Sequence, residues 1–240
     1  MTDLLKVSNE NRKIKKLRDI PELQLYLTNG RKIRSIDTLA GKACPAANSC
    51  RSEVIETIEG NRIKDGNNTE FRCFAASIEA IFPAVYKAHK YNFGLLRKCK
   101  SVSDYISLLE ASFPSDTGIL RFHVSGDFFK LNYFVAALQF AKMHSDTRFY
   151  AYTKQLPFWI DYRNLIPDNF ILTASYGGKY DHLILKHNLR YSMIVENEMH
   201  AKRLNLPVDN DDSHAATNSG NFALIIHGMQ PKNRKRLDLI

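Results

Sequence analysis

From Gly118 onward the chain alternates between short apolar runs and stretches with helical periodicity. The apolar runs, rich in β-branched and aromatic residues, lie at 119–124, 148–152, 170–173, 191–195 and 222–226. Helical stretches lie between them, near 130–144, 155–165, 179–187 and 197–205. Apolar strands spaced by helices are typical of a parallel sheet covered on both faces. This part of the sequence therefore predicts an α/β fold, with an open or closed β/α barrel as its architecture.

The first part of the chain is less regular. Short strands are predicted at 23–27 and 33–36, and a hairpin or mobile loop at 54–66, where Gly-Asn and Asp-Gly mark turns. Helical periodicity then covers 75–90, interrupted near Pro83, and 102–111.

The length of 240 residues fits one large domain. We divide it into an irregular basic N-terminal segment over 1–42, a cysteine loop with the barrel over 43–231, and a basic tail over 232–240. No apolar run approaches the roughly 20 residues of a membrane span, and the N-terminus carries no apolar signal segment. We therefore expect a cytoplasmic protein with no membrane partner, in which thiols stay reduced.

Three cysteines are grouped ahead of the regular part. Cys44 and Cys50 flank a Pro-Ala-Ala-Asn-Ser loop, and Cys73 follows after 22 further residues. Grouped thiols in a reducing compartment indicate a metal or cluster site more than a disulfide framework, although three buried, inert cysteines remain an alternative. Zinc is the rival metal, and it needs a fourth ligand such as Cys99, His89 or His123.

Polar residues stand at the ends of the predicted strands. In a parallel sheet these ends meet at one edge, where binding sites form. The residues concerned are His123, Ser125, Gly126, Asp127, Tyr152, Lys154, Ser175, Glu196 and His227. Five strand ends with polar residues predict a polar pocket, although His123 alone fits a core histidine, Asp127 a helix cap and Lys154 a simple ion pair.

The formal net charge of +9 is concentrated at the two ends. Residues 1–34 hold nine Lys and Arg against four Asp and Glu, and residues 231–240 hold four against one. Basic arms attract phosphates, so nucleic acid is a candidate partner. Solvated termini that aid solubility explain the same charge.

The order of several motifs resembles the bacteriophage gene product 88 family. These motifs are Arg-Phe-His-Val-Ser-Gly-Asp-Phe-Phe at 121–129, Arg-Phe-Tyr-Ala-Tyr-Thr-Lys at 148–154, Pro-Asp-Asn-Phe-Ile-Leu-Thr-Ala-Ser at 167–175, Asp-Asp-Ser-His-Ala at 211–215 and His-Gly-Met-Gln-Pro at 227–231. The resemblance extends through the cysteine motifs and covers about residues 40–231. It implies a phage or mobile-element protein, from a family that is largely a domain of unknown function.

A more distant resemblance is to radical S-adenosylmethionine enzymes, which have a partial β/α barrel and a three-cysteine [4Fe–4S] cluster. Cys73-Phe-Ala looks like the last cysteine of their motif, and Ser125-Gly-Asp127 looks like their Gly-Gly-Glu strand end. The cysteines of those enzymes are closer together in sequence. This spacing matters less for binding a cluster than for cleaving the cofactor, because a cluster requires proximity in space.

This resemblance implies a role for each candidate residue. The metal ligands would be Cys44, Cys50 and Cys73. The cofactor S-adenosylmethionine would be bound by Ser125, Gly126, Asp127, Lys154, Ser175 and Glu196. An unknown substrate would lie over the candidate catalytic residues His123, Tyr152, Asp212, His214 and His227. Two classes of function follow: a cluster-dependent enzyme, or a non-catalytic, metal- or cluster-stabilised protein that binds nucleic acid.

Overall fold

The computed structural model describes residues 3–232 and 234–237, and it is built on a seven-stranded sheet. Within these residues the strands are β1 (Val7–Asn9), β2 (Lys32–Ile36), β3 (Ser52–Thr57), β4 (Gly60–Asp65), β5 (Thr117–Phe122), β6 (Arg148–Thr153), β7 (Phe170–Ser175), β8 (Tyr191–Val195) and β9 (Phe222–Ile225). The sheet order is β1-β2-β5-β6-β7-β8-β9, and β3 and β4 form a separate hairpin. β1 is antiparallel to β2, while β2 and β5 to β9 are parallel and follow the order of the chain.

Helices connect the parallel strands. They are α1 (Phe74–Ile81), α2 (Pro83–Lys98), α3 (Val102–Ser112), α4 (Leu131–Met143), α5 (Leu156–Asp161), α6 (His182–Lys186), α7 (Glu198–Arg203) and α8 (Ser213–Thr217). Short 3₁₀ helices cover Ile14–Asp19, Pro21–Tyr26, Thr28–Gly30 and Arg163–Leu165. No helix in the described ranges is both long and apolar enough to cross a membrane.

The larger core lies between one face of the sheet and the connecting helices. Phe122, Phe149 and Phe170, on three neighbouring strands, pack in one cluster with Phe134 and Phe140 of α4. These aromatic side chains are at most 2% exposed. Burying each contributes roughly 1.5–3 kcal/mol, so this face is a main source of stability.

The N-terminal segment forms part of the core on the opposite face. Ile14 and Leu17 are fully buried against Ile119, Tyr150 and Phe222 of the sheet. With β1 and β2 in the main sheet, most of the predicted N-terminal segment belongs to the same folded unit as the rest of the chain.

The predicted strand at 23–27 is wrong, because Pro21–Tyr26 is a 3₁₀ helix. Pro21 supplies the fixed φ that suits a first helical turn. Leu23 and Tyr26, the buried residues of this turn, are three residues apart and share a face at the 3₁₀ period. Their apolar character therefore reflects a turn rather than a strand.

The remaining predicted elements are confirmed with shifts of a few residues. The strands after Gly118, the hairpin near 54–66 and the strand at 33–36 all form. The helix at 75–90 divides at Phe82, before Pro83, as its sequence indicates. The predicted α/β class with a mostly parallel sheet is confirmed.

Candidate functional site

A cavity of about 560 Å³ lies beyond the carboxyl ends of the parallel strands, and we refer to it as the strand-end cavity. Its volume lies within the roughly 300–1,000 Å³ of small-molecule sites, and its wall is mostly apolar. Twelve of the predicted site residues line it: Cys44, Cys50, Cys73, His123, Ser125, Gly126, Asp127, Tyr152, Lys154, Ser175, Asp212 and His227.

The loop that carries Cys44 and Cys50 is attached to the turn after β7. The backbone amides of Asn48 and Ser49 both donate to the carbonyl oxygen of Gly177, at 2.9 and 3.0 Å. Gly177 has a φ of 93°, a conformation that favours glycine. The strand-end glycine thus holds the cysteine loop against the sheet.

Cys73 immediately precedes α1 and faces the amides of its first turn. Burial raises the pKa of the Cys73 thiol to about 11, and the neighbouring Cys50 adds to the rise. The backbone amides of Ala76 and Ala75 and the positive charge of Lys154 act in the opposite direction. The thiolate thus has hydrogen-bond donors and a cation beside it, but burial outweighs them.

Cys44 interacts with the same group of charges. Burial raises the pKa of its thiol well above the ordinary value, and Asp127, Cys73 and Cys50 raise it further. The cysteines are free thiols. A bound cation would reverse this balance, because a coordinating thiol is deprotonated outright. The three thiols are the donor type that iron–sulfur clusters and soft metals require.

The side chains do not form a compact site for a single ion. Within residues 3–232 and 234–237, no three His, Cys, Asp or Glu side chains are grouped closely enough to hold one metal ion. Cys99, a candidate fourth zinc ligand, belongs to the helical core, and its thiol donates to the carbonyl oxygen of Leu95 at 3.8 Å. Cys99 therefore does not lie on the cavity wall with the other three.

The loop after β5 requires glycine at its centre. Gly126 has a φ of 97°, and a Cβ atom added there would lie 1.8 Å from Oγ1 of Thr38. Beside it, the Ser125 hydroxyl donates to the buried carboxylate of Glu79 at 2.8 Å. The Ser-Gly-Asp segment is therefore packed tightly against the segment that follows β2.

Asp127 joins this loop to the end of β6. Its carboxylate accepts hydrogen bonds from the Phe128 amide and the Thr153 hydroxyl, both at 2.7 Å, and from the Lys154 amide at 2.9 Å. Burial raises the pKa of Asp127 to about 6 despite these donors. Because α4 begins at Leu131 and has no side-chain cap, Asp127 is not a helix cap.

Lys154 and Ser175, both predicted to bind the cofactor, contact each other. The Lys154 ammonium donates to the Ser175 hydroxyl at 2.8 Å and to the carbonyl oxygens of Ser175 and Tyr176, at 2.9 and 2.6 Å. All three acceptors are uncharged, so the cation brings a positive charge to the wall.

Asp212 lies at the centre of a buried polar cluster. Its carboxylate forms ion pairs with Arg121 and with Lys13, the latter at 2.6 Å. It also accepts hydrogen bonds from the hydroxyls of Tyr150 and Tyr152, at 3.1 and 3.2 Å. Burial alone would raise the pKa of Asp212, but the two cations lower it to about 2, so the side chain stays ionised.

Two predicted site residues lie away from the cavity wall. His214 is on α8, with Nδ1 3.9 Å from the Asp209 carboxylate. Glu196 accepts two hydrogen bonds from Arg234, at 2.8 and 2.9 Å. His227 does reach the wall, as an exposed side chain whose ring centroid is 4.2 Å from that of Phe74.

Several basic side chains of the termini are engaged within the fold. Besides Lys13, Arg18 pairs with Glu10 at 2.8 Å, and Lys32 and Arg34 share Asp116. Much of the N-terminal positive charge therefore has partners in the folded chain. Residues 233 and 238–240 of the predicted basic tail lie outside the described residues.

Comparison with known proteins gives one result. A family model described as gene product 88 matches residues 4–238. The chain belongs to the gene product 88 family. No curated protein and no solved structure matches it.

Glu79 was not predicted from the sequence, and His89 was named only as a possible fourth zinc ligand. The two side chains form a buried pair beside the cavity. His89 lines the wall, and its Nδ1 lies 2.8 Å from Oε1 of Glu79. The same oxygen accepts hydrogen bonds from the Ala40 amide and the Ser125 hydroxyl. Glu79 is the single charged residue of α1, whose sequence is Phe-Ala-Ala-Ser-Ile-Glu-Ala-Ile. This isolated charge was the sequence signal that could have identified it.

Proposed function

We propose that this chain binds a [4Fe–4S] cluster through Cys44, Cys50 and Cys73, and that a small molecule occupies the strand-end cavity beside it. One observation carries the proposal: three free thiols, two from the 44–50 loop and one from the start of α1, line a single cavity of about 560 Å³. The expectation that thiols stay reduced in the cytoplasm adds to it.

The grouping of the thiols supports a cluster more than zinc. Structural zinc draws four ligands around one ion in a tetrahedron. In a four-iron cluster each thiolate binds a different iron atom, so its cysteines do not converge on one point. The absence of a single-ion group within the described residues is therefore compatible with a cluster, and Cys99 is too far into the helical core to complete a zinc set.

The arrangement of the strands supports the finer part of the proposal, a radical S-adenosylmethionine-like partial barrel. Six parallel strands follow the order of the chain, and the cavity lies at their carboxyl ends, where such folds bind ligands. A bound, reduced cluster would supply one electron for cleavage of the sulfonium of S-adenosylmethionine.

The residues of the chain would bind and orient this cofactor. Asp127 would attract its amino group, because the carboxylate is buried and has only uncharged hydrogen-bond donors. Lys154, whose partners are also uncharged, would attract its carboxylate, and Ser175 positions that ammonium. Glu196 would join them only if it exchanged its bonds to Arg234 for the ligand. The substrate would contact His123, Tyr152 and His227, with Asp212 holding the tyrosine.

Anaerobic purification followed by iron, sulfide and zinc analysis tests the first step. After reconstitution we expect about four iron and four sulfide per chain, with visible absorption from sulfur-to-iron charge transfer. Single Ser variants of Cys44, Cys50 and Cys73 should lose most of the iron. Cys99→Ser is the matched control, because this thiol lies in the helical core, and it should keep the full content. Equal iron in all four variants, or zinc alone, would exclude the proposed ligands.

The enzymatic part has a separate assay. Reduced, reconstituted protein mixed with S-adenosylmethionine should release deoxyadenosine. The same protein without its cluster should not. A loaded cluster without this product would point to a structural cluster. Salt-dependent binding of DNA or RNA by the same sample would then favour the nucleic-acid alternative.

A further inference from the structure

His123 combines burial, backbone strain and an unpaired ring nitrogen on the cavity wall. It is 2% exposed, and its φ of 68° lies in the left-handed region, where histidine is found more often than most residues. Its Nδ1 is buried and has no hydrogen-bond partner within the described residues. Buried polar atoms are nearly always paired, so an unpaired one at a cavity calls for a missing partner.

The other ring nitrogen identifies which one carries the proton. Nε2 of His123 lies 3.0 Å from the hydroxyl of Tyr133. Burial raises the pKa of Tyr133 well above the ordinary value, so the hydroxyl keeps its proton. Within the described residues, Nε2 of His123 is the hydrogen-bond acceptor found for the Tyr133 hydroxyl proton. Tyr133 therefore donates to Nε2, and the ring proton resides on Nδ1.

The surroundings keep the ring uncharged. Phe122, Phe128 and Tyr133 surround it, with ring centroids 4.7 to 5.8 Å away, and no carboxylate of residues 3–232 or 234–237 is within hydrogen-bonding distance of the ring. Burial, and then the charge of Arg121, lower the pKa of His123 to about 3. The other histidine ring named above, His89, contacts a carboxylate, that of Glu79.

The chemical class of the partner follows from the neighbours on β5. Arg121 is near the end of β5 and His123 follows directly after the strand, and both line the cavity. Asp212 pairs with both Arg121 and Lys13, so this group of side chains keeps a net positive charge. A donor N–H beside a guanidinium favours an acceptor that carries negative charge.

We propose that His123 is a permanently neutral hydrogen-bond donor, fixed in its Nδ1–H tautomer by Tyr133, which binds an anionic oxygen of the cavity ligand. The oxygen belongs to a carboxylate or a phosphate. The inference rests on the proposed function only in taking the strand-end cavity as a ligand site, and it does not depend on the cluster. His123 recognises the ligand and does not transfer protons.

Nitrogen NMR of histidine side chains in the full chain tests the tautomer directly. We expect His123 to be neutral from pH 5 to 8, with its proton on Nδ1. In Tyr133→Phe we expect a mixture of the Nδ1–H and Nε2–H tautomers. His144, a half-buried ring that pairs with Glu110 at 2.8 Å, is the comparison ring. A proton on Nε2, or protonation of His123 within this range, would overturn the proposal.

Titration with inorganic phosphate and with acetate tests the ligand class. The Nδ1–H resonance of His123 should shift with one or both probes, and the one that binds identifies the source of the oxygen. His123→Asn keeps an N–H near the Nδ1 position and suits a positive φ, so its affinity should stay within about threefold. His123→Gln places its amide near Nε2 instead and should bind about tenfold more weakly. No shift with either probe, or equal affinity of the two variants, would refute the assignment. Iron analysis of the same variants separates this result from failure of the cluster.

Discussion

Replacing Asp212 with Asn tests whether the polar cluster beneath the cavity is a main support of the fold. The change leaves Arg121 in place with its carboxylate partner neutralised, and it weakens the bond to Lys13. Arg121 is only 13% exposed and Asp212 fully buried. Breaking a buried pair by removing one charge typically costs about 3–5 kcal/mol, because the remaining charge is left without compensation. We expect a loss of this size in the free energy of unfolding at pH 7.

Part of this loss depends on pH in a defined direction. The pKa of Asp212 is lowered from the ordinary 3.8 to about 2 in the folded chain. A lowered carboxyl pKa stabilises the fold above about pH 4, and the contribution disappears as pH falls through 2. At 1.36 kcal/mol per pKa unit this contribution is about 2.5 kcal/mol. The difference between the wild type and Asp212→Asn in urea unfolding should therefore shrink by about that amount between about pH 5 and pH 1.

Asp116 provides the matched control, because it also joins two cations. Lys32 and Arg34 lower the pKa of Asp116 to about 2 by hydrogen bonding, yet the Asp116 carboxylate is 41% exposed, whereas that of Asp212 is fully buried. Exposed ion pairs contribute little and are screened by salt. Asp116→Asn should therefore change the stability slightly, and 1 M NaCl should abolish the change. Equal losses in the two variants, or an Asp212→Asn effect that salt removes, would refute the reasoning from burial.

Two further substitutions test the packing of the site by urea unfolding. Gly126→Ala should lose about 2–4 kcal/mol, from its positive φ and its contact with Thr38, and adding Thr38→Ala should restore part of it. Gly94→Ala is the control, because nothing lies within 4 Å of the added Cβ and α2 should gain roughly 0.5–1 kcal/mol; similar stability of the two Ala variants would contradict the steric account. Lys154→Met keeps the aliphatic stem but removes the bonds to the end of β7, including that to Ser175. It should cost about 1.5–3 kcal/mol, and an unchanged midpoint would show that these bonds contribute nothing net.

The sheet could be predicted because its strands are locally encoded. Each of the strands β5 to β9 is a largely apolar run followed by a polar residue, and a helical stretch separates it from the next strand. Parallel strands place their carboxyl ends at one edge, so the residues after β5, β6 and β7 had to gather there. The prediction of a strand at 23–27 was wrong, because apolar residues three apart fit a 3₁₀ turn as well as a strand.

The remaining site residues depend on contacts that no local pattern contains. Glu79 and His89 are on helices, and the face of α1 that meets the cavity is fixed by contacts with Ala40, in the segment after β2, and with Ser125, in the loop after β5. Glu196 follows β8 as the pattern requires, yet Arg234, 38 residues later, contacts its carboxylate. Whether Glu196 faces the cavity or pairs with Arg234 depends on both segments, so it cannot be predicted from either one alone.

The acidic residues around the cavity argue for function independently of the cysteines. Asp127 and Asp212 line the strand-end cavity. Asp37 and Glu79 accept hydrogen bonds from two residues of its wall, the Val124 amide and the Ser125 hydroxyl. All four carboxylates are at most 4% exposed. Burying a carboxylate costs several kcal/mol unless its partners compensate, and well-packed apolar side chains would often serve stability as well or better. Four such residues around one apolar-walled cavity are a local departure from what folding alone favours, and departures of this kind concentrate at functional sites. If cluster binding were excluded by iron analysis, the same carboxylates would still mark the strand-end cavity as the place to look for a ligand.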